Sequence, residues 1–172
     1  MSFQRDKQWS DRWTPLIQQL LAPLLLRPSS LKVDQTEAAD LCLATENVRI
    51  GCRVRAQKYA EKYGTQFTIR SSRDTGAKTE LEKIVDGWGD WMFYGFEYSP
   101  TKLSPWFVVD LRAFRAALVR SPKIQAKSRE QITNRGDGTS FVAFDLKDFP
   151  PFPRICVARS EEAPTVPWER AA

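Results

Sequence analysis

The chain has 172 residues, 42% hydrophobic and 27% charged, with a formal net charge of +5 and a pI near 9.2. That balance fits one globular domain of ordinary size and excludes a disordered or fibrous chain. The sequence holds no histidine, which excludes histidine-based triads, histidine general bases, haem and most zinc sites.

Residues 1–12 are polar around Trp9 and read as a loose arm or a short helix. Thr14-Pro15 then marks a helix start, with Thr14 as cap and Pro15 in the first turn. Leu16, Ile17, Leu20, Leu21 and Leu24 supply its apolar stripe, Pro23 predicts a kink or break, and Pro28-Ser29-Ser30 a stop. Residues 41–44 read as a short strand, and Thr45-Glu46-Asn47 as a turn into the next one. In residues 48–55, Val48, Ile50, Cys52 and Val54 alternate with Arg49, Gly51, Arg53 and Arg55. A strand places alternate side chains on opposite faces, so one face is apolar and the other carries arginines.

A short helix is expected over residues 57–62, stopped by Gly64, and a strand over residues 67–70 that adds Arg70 to the basic face. Residues 77–85 read as a helix ending at Gly87. Residues 91–98 read as a strand. Six of the eleven residues from 88 to 98 are aromatic, and they fall on both faces, the pattern of a buried central strand rather than of base-stacking platforms. Residues 105–109 form another strand, and Asp110 caps a helix through Val119. Residues 123–129 read as a loop, Asn134-Arg135-Gly136-Asp137-Gly138 as a hairpin turn, and residues 141–146 and 154–159 as strands joined by an extended proline-rich crossing. Residues 161–172 read as a mobile tail. The order predicts an α/β or α+β fold, one domain with a mixed β-sheet flanked by helices.

The three cysteines, Cys42, Cys52 and Cys156, have neither C-x-x-C spacing nor an even count, so each is expected to pack as a small apolar residue. No signal peptide is visible, and residues 20–26 are too short an apolar run to span a bilayer. A cytoplasmic protein without a membrane partner is the expectation.

Positive charge concentrates between residues 49 and 78, with eight Lys/Arg against Glu61 and Asp74. Arginines held on a sheet are pre-ordered forks for phosphate, so Arg49, Arg53, Arg55 and Arg70, with Arg73 and Lys78 nearby, are the candidate nucleic-acid contacts. The alternative is a solvated face laced with carboxylates. Ser71 to Thr79 runs from a strand into a helix. Gly76-Ala77-Lys78-Thr79 is similar to the end of a phosphate loop but lacks its first glycine, and an ordinary helix cap is the simpler reading. Glu37, Asp40, Glu80 and Asp90 are the candidate acids, since two convergent carboxylates can hold Mg²⁺ for phosphodiester hydrolysis; taken singly, each reads as a cap or turn residue.

From Pro15 to Tyr98 the order helix–strand–strand–strand–helix–strand resembles the core of the PD-(D/E)XK, or restriction-endonuclease-like, superfamily. The resemblance implies a nuclease-like α-β-β-β-α-β core with an aspartate at one strand and an acid-x-Lys triplet on the next, meeting at Mg²⁺. Asp40 matches the aspartate. Gly51-Cys52-Arg53 or Arg53-Val54-Arg55 stands where the triplet belongs, and Thr68-Ile69-Arg70 departs from it in the same way. The cation survives and the acid is missing, with Glu80 the alternative acid. In general texture, without a motif, the chain also resembles accessory proteins of phages and mobile elements. The preferred expectation is a binder of DNA or RNA backbone phosphates that needs no cofactor. The alternatives are a Mg²⁺-dependent nuclease with Asp40 and Glu80 as catalytic residues and Asp40 as metal ligand, and a protein-interaction module such as an inhibitor of a host defence complex.

Overall fold

A computed structural model describes residues 3–28, 41–43, 47–72, 76–134 and 138–160. The residues form a helical layer, a mixed four-stranded sheet, and a second layer of three strands with further helices.

The chain opens with helix α1 (Phe3–Asp11), where an arm or short helix was expected, and α2 (Thr14–Leu25). Trp13, one residue earlier than expected, occupies the N-cap position of α2, and its side chain makes no capping bond. Pro23 neither splits nor ends α2. It falls in the last turn, where the helix stops two residues later at Leu25. Ile17, Leu21 and Leu24 recur at helical spacing and join Trp13 in one buried stripe.

Strands β1 (Leu26–Pro28) and β2 (Leu41–Leu43) pair with each other, and among the described residues with no other strand. Strand β2 therefore does not lie beside the arginine strand, as the sequence led us to expect. β3 (Ile50–Arg55) is followed by a 3₁₀ turn, Gln57–Tyr59, and a single helical turn, α3 (Ala60–Tyr63). Then come β4 (Gln66–Ser72), α4 (Glu80–Val85), β5 (Trp91–Ser99) and β6 (Lys102–Asp110). The chain ends with α5 (Leu111–Arg120), α6 (Pro122–Lys127), β7 (Ile132–Thr133), β8 (Ser140–Asp145) and β9 (Cys156–Arg159). Of residues 123–129, expected to be a loop, those up to Lys127 are helical, because Ser121 caps Ile124 N–H and Pro122 sits at the first position. Here the hydroxyl residue before the proline does cap the helix, unlike Thr14 before Pro15 in α2.

The main sheet has the order β3-β5-β6-β9, with β3 parallel to β5 and the other pairs antiparallel. The parallel pair needs a crossover, and β4 and α4 supply it. β4 leaves the main sheet and pairs with β8 in a second sheet of order β4-β8-β7. The arginine strands β3 and β4 are thus edge strands of two different sheets.

β5 is covered on both sides over its middle, so Phe93, Tyr94 and Phe96 are buried, whereas Tyr98 near its end and Trp88 before it are exposed, contrary to the buried reading of the whole run. Phe93 packs with Val108 against the α2 stripe, while Met92, Tyr94 and Phe96 face the second sheet. There Phe67, Phe144, Phe149 and Phe114 form a ring cluster, with Phe67 and Phe144 stacked at 5.5 Å. At roughly 25 cal/mol per Å² of buried apolar surface, these fully buried rings contribute substantially to stability.

Candidate nucleic-acid interface

The alternation in β3 is real, but its polar face is not a wet outer surface. Ile50 and Val54 pack toward α2. Arg53 and Arg55 have the opposite parity and point into the gap between the two sheets. Residues 73–75, 29–40 and 135–137 lie outside the described residues, so Asp40, Glu37, Arg73 and the Arg135-Gly136-Asp137 turn have no placement here.

Arg53 bridges the gap. Its Nη1 donates to the Thr68 carbonyl (3.1 Å) and to Thr68 Oγ1 (3.3 Å), and its Nη2 donates to Glu80 Oε2 at 2.5 Å. The same Glu80 oxygen accepts the Arg70 backbone N–H at 3.0 Å. One charged pair thus satisfies an acceptor and a donor on the exposed edge of β4, as a neighbouring strand would. Behind it, Thr68 Oγ1 and Tyr94 Oη lie 3.0 Å apart in the core. The Arg53 and Glu80 side chains remain 29% and 32% exposed, so this pair is screened less than a surface pair and still meets solvent.

The absence of local acids, on which the basic-face expectation rested, holds for some of the arginines only. Arg49 lies on Asp90: its Nε donates to Oδ2 at 3.0 Å, its backbone N–H to the same oxygen at 2.9 Å, and its Nη2 to the Gly87 carbonyl at 3.3 Å. These bonds from Arg49 hold the Asp90 carboxyl below its ordinary range and raise the guanidinium above its own. Lys78 is paired with Asp86 at 2.5 Å, and that contact raises its pKa. Arg55 stacks over the Tyr59 ring, 4.2 Å from its centroid. Neither Arg55 nor the Arg70 side chain has a carboxylate partner among the described residues.

Two neighbouring cavities, together the groove, share Arg53 and Arg70 in their walls. The first, about 370 Å³, is polar and takes Arg55, Thr68 and Asn134 in its wall, with Trp9 at one side. The second, about 340 Å³, has an apolar floor of Met92, Leu111 and Ile84, with Glu80, Lys83 and Trp88 around it. Of the sequence candidates, the groove gathers Arg53, Arg55, Arg70 and Glu80. It leaves Arg49 tied to Asp90 and Lys78 tied to Asp86. Cys52, expected to be packed, is exposed on the β3 edge, while Cys156 is buried.

The stretch before α4 behaves as a cap. Thr79 Oγ1 accepts the Glu82 N–H and Glu82 Oε2 accepts the Thr79 N–H, a complete capping box. These bonds to Thr79 lower the Glu82 pKa. The helix has only six residues and its first turn is satisfied from within.

Lys83 in the groove and Arg115 beside it were not singled out from sequence, and Trp88, read there as part of a buried aromatic run, is exposed at the groove. Arg115 lies on α5 and donates from Nη1 to the carbonyls of Gly89 (3.2 Å) and Ile84 (3.4 Å), fixing the loop that carries Trp88. The spacing Gly87-Trp88-Gly89 was the available signal for an aromatic on a tight turn.

Comparison with protein-family models, curated proteins and solved structures found no match to this chain. Among the described residues no helix is long and apolar enough to cross a membrane, and no group of His, Cys, Asp or Glu side chains is placed to hold a metal ion.

Proposed function

We propose that the protein holds the sugar-phosphate backbone of nucleic acid in the groove between β3 and β4. The observation that carries this reading is that Arg55 and Arg70 enter one cavity from two different sheets, neither with a carboxylate partner among the described residues. With Arg53 and Lys83, the described residues of the groove include four cationic side chains against the one carboxylate of Glu80, which is itself paired with Arg53. Guanidinium groups anchored on strands lose little freedom when they fork onto a phosphate. Contacts of this kind set position on a polyanion and read no sequence. Arg53, which also holds β4, acts as much in positioning as in binding.

The test is binding of labelled DNA and RNA across a salt series by fluorescence anisotropy. Affinity should fall linearly on a log–log plot, because each neutralised phosphate releases counterion. Arg55→Glu combined with Arg70→Glu should abolish binding, since neither side chain holds the fold through an ion pair. Full affinity in that folded double variant sinks the proposal. The same mixtures with Mg²⁺ read cleavage directly. Cleavage that disappears in Glu80→Gln would replace this reading by a metal-dependent nuclease.

A further inference from the structure

The apolar half of the groove is unusual in how it presents Trp88. The indole is 63% exposed, yet the backbone beneath it is held from every side. Trp88 N–H donates to the Lys83 carbonyl at 2.9 Å and Gly87 N–H to that of Ile84 at 3.0 Å, the paired bonds of a Schellman stop. Gly87 and Gly89 take φ of +90° and +75°, which side-chain-bearing residues adopt only with strain. Arg49 grips the Gly87 carbonyl and Arg115 the Gly89 carbonyl. A large aromatic left in water on a clamped loop costs the fold hydrophobic burial, and it is pre-ordered for a flat partner.

What lies beside it specifies that partner. The cavity under Trp88 has an apolar floor, and Arg70 and Lys83 stand at its wall. Its volume, about 340 Å³, is at the small end of ligand sites, which run to roughly 300–1,000 Å³. Gly51 forms part of the wall, and a Cβ there would meet nothing nearer than the Trp91 carbonyl at 4.0 Å. The missing side chain is therefore open space rather than a packing need. An aromatic face, an apolar floor and cations at the wall match one nucleotide unit: a base to stack and a phosphate to hold.

We infer that this cavity takes an unpaired nucleobase against Trp88, so that the ligand of the groove is single-stranded nucleic acid. A base paired within a duplex has both faces stacked and is not available to the indole. The inference rests on the phosphate-binding reading above and narrows it.

The experiment compares four probes in anisotropy titrations: a single-stranded DNA, the RNA of the same sequence, the matching duplex, and a strand of abasic sites with the same phosphates. Wild type should bind both single strands more tightly than the abasic strand and the duplex. Trp88→Ala should weaken single-strand binding by roughly 5- to 150-fold, the loss of one stacked base, while leaving abasic binding unchanged. Gly51→Val fills the cavity on a strand that favours β-branched residues, and it should reproduce that loss without destabilising the protein. Equal affinity of wild type for normal, abasic and duplex probes, or full single-strand affinity in both variants, overturns the inference while the phosphate reading stands. If wild type binds none of the probes, the phosphate reading has failed and this one falls with it.

Discussion

Replacing Glu80 by glutamine should weaken the fold and strengthen the grip. In the folded protein one Glu80 oxygen accepts from the Arg53 guanidinium at 2.5 Å and from the Arg70 backbone N–H at 3.0 Å. Glutamine keeps an acceptor of the same shape but removes the charge. Hydrogen bonds to charged groups contribute about 1.5–3 kcal/mol and neutral ones about 0.5–1.5, so the two bonds together lose about 2 kcal/mol before screening. Both side chains are about a third exposed, which lowers the expected loss to about 1–2 kcal/mol. For a chain of this size that is a fall in Tm of roughly 2–8 °C. The effect on binding has the opposite sign. The groove loses its carboxylate, and removing one negative charge about 4–8 Å from a phosphate in a water-like medium gains about 0.5–1 kcal/mol. Nucleic-acid affinity at low salt should therefore rise about two- to fivefold. Thermal unfolding and anisotropy titrations on one preparation measure both. An unchanged Tm would show that the Arg53–Glu80 pair does not brace the β4 edge. Weaker binding by a folded variant would refute the electrostatic account, because it would make Glu80 a contributor to the ligand site.

Thr79→Ala removes the cap of α4 and half of its capping box, and should cost about 1 kcal/mol, or roughly 2–4 °C in Tm; Thr79→Ser should recover most of it. Gly87→Ala places a Cβ at φ +90°, so it should lower Tm and reduce single-strand binding together, since the strained residue precedes Trp88. The Asp90 and Glu82 carboxyls titrate below their unfolded-state values, near about 3.9 and 4.3, because the native state bonds the charged forms. Their stabilisation is complete above those values and is lost as pH falls through the depressed native ones, so Tm should drop below about pH 4. Asp90→Asn and Glu82→Gln should each flatten that acid limb in a pH series of melting curves; an acid limb unchanged in both variants would contradict the assignment.

Local order was legible in the linear chain. The β3 alternation, the aromatic run of β5 and the caps at Asp110 and Gly87 are nearest-neighbour matters, governed by backbone preference and apolar period, and they lie where the residues put them. Pairing was not legible. β2, β3 and β4 follow one another in sequence yet belong to three different sheets, because partner choice depends on which apolar faces meet across a long loop. The same holds for the groove. That Arg53 points inward, meets Glu80 from a helix and plugs the β4 edge follows from two sheets packing over a shared core, and nothing within reach along the chain encodes it. Composition by itself determined a basic, histidine-free chain, and the order of its apolar patterns an α/β or α+β fold. Only the tertiary structure decided which arginines are cancelled by carboxylates and which are left to meet a ligand, since a charge pair is set by distance in space.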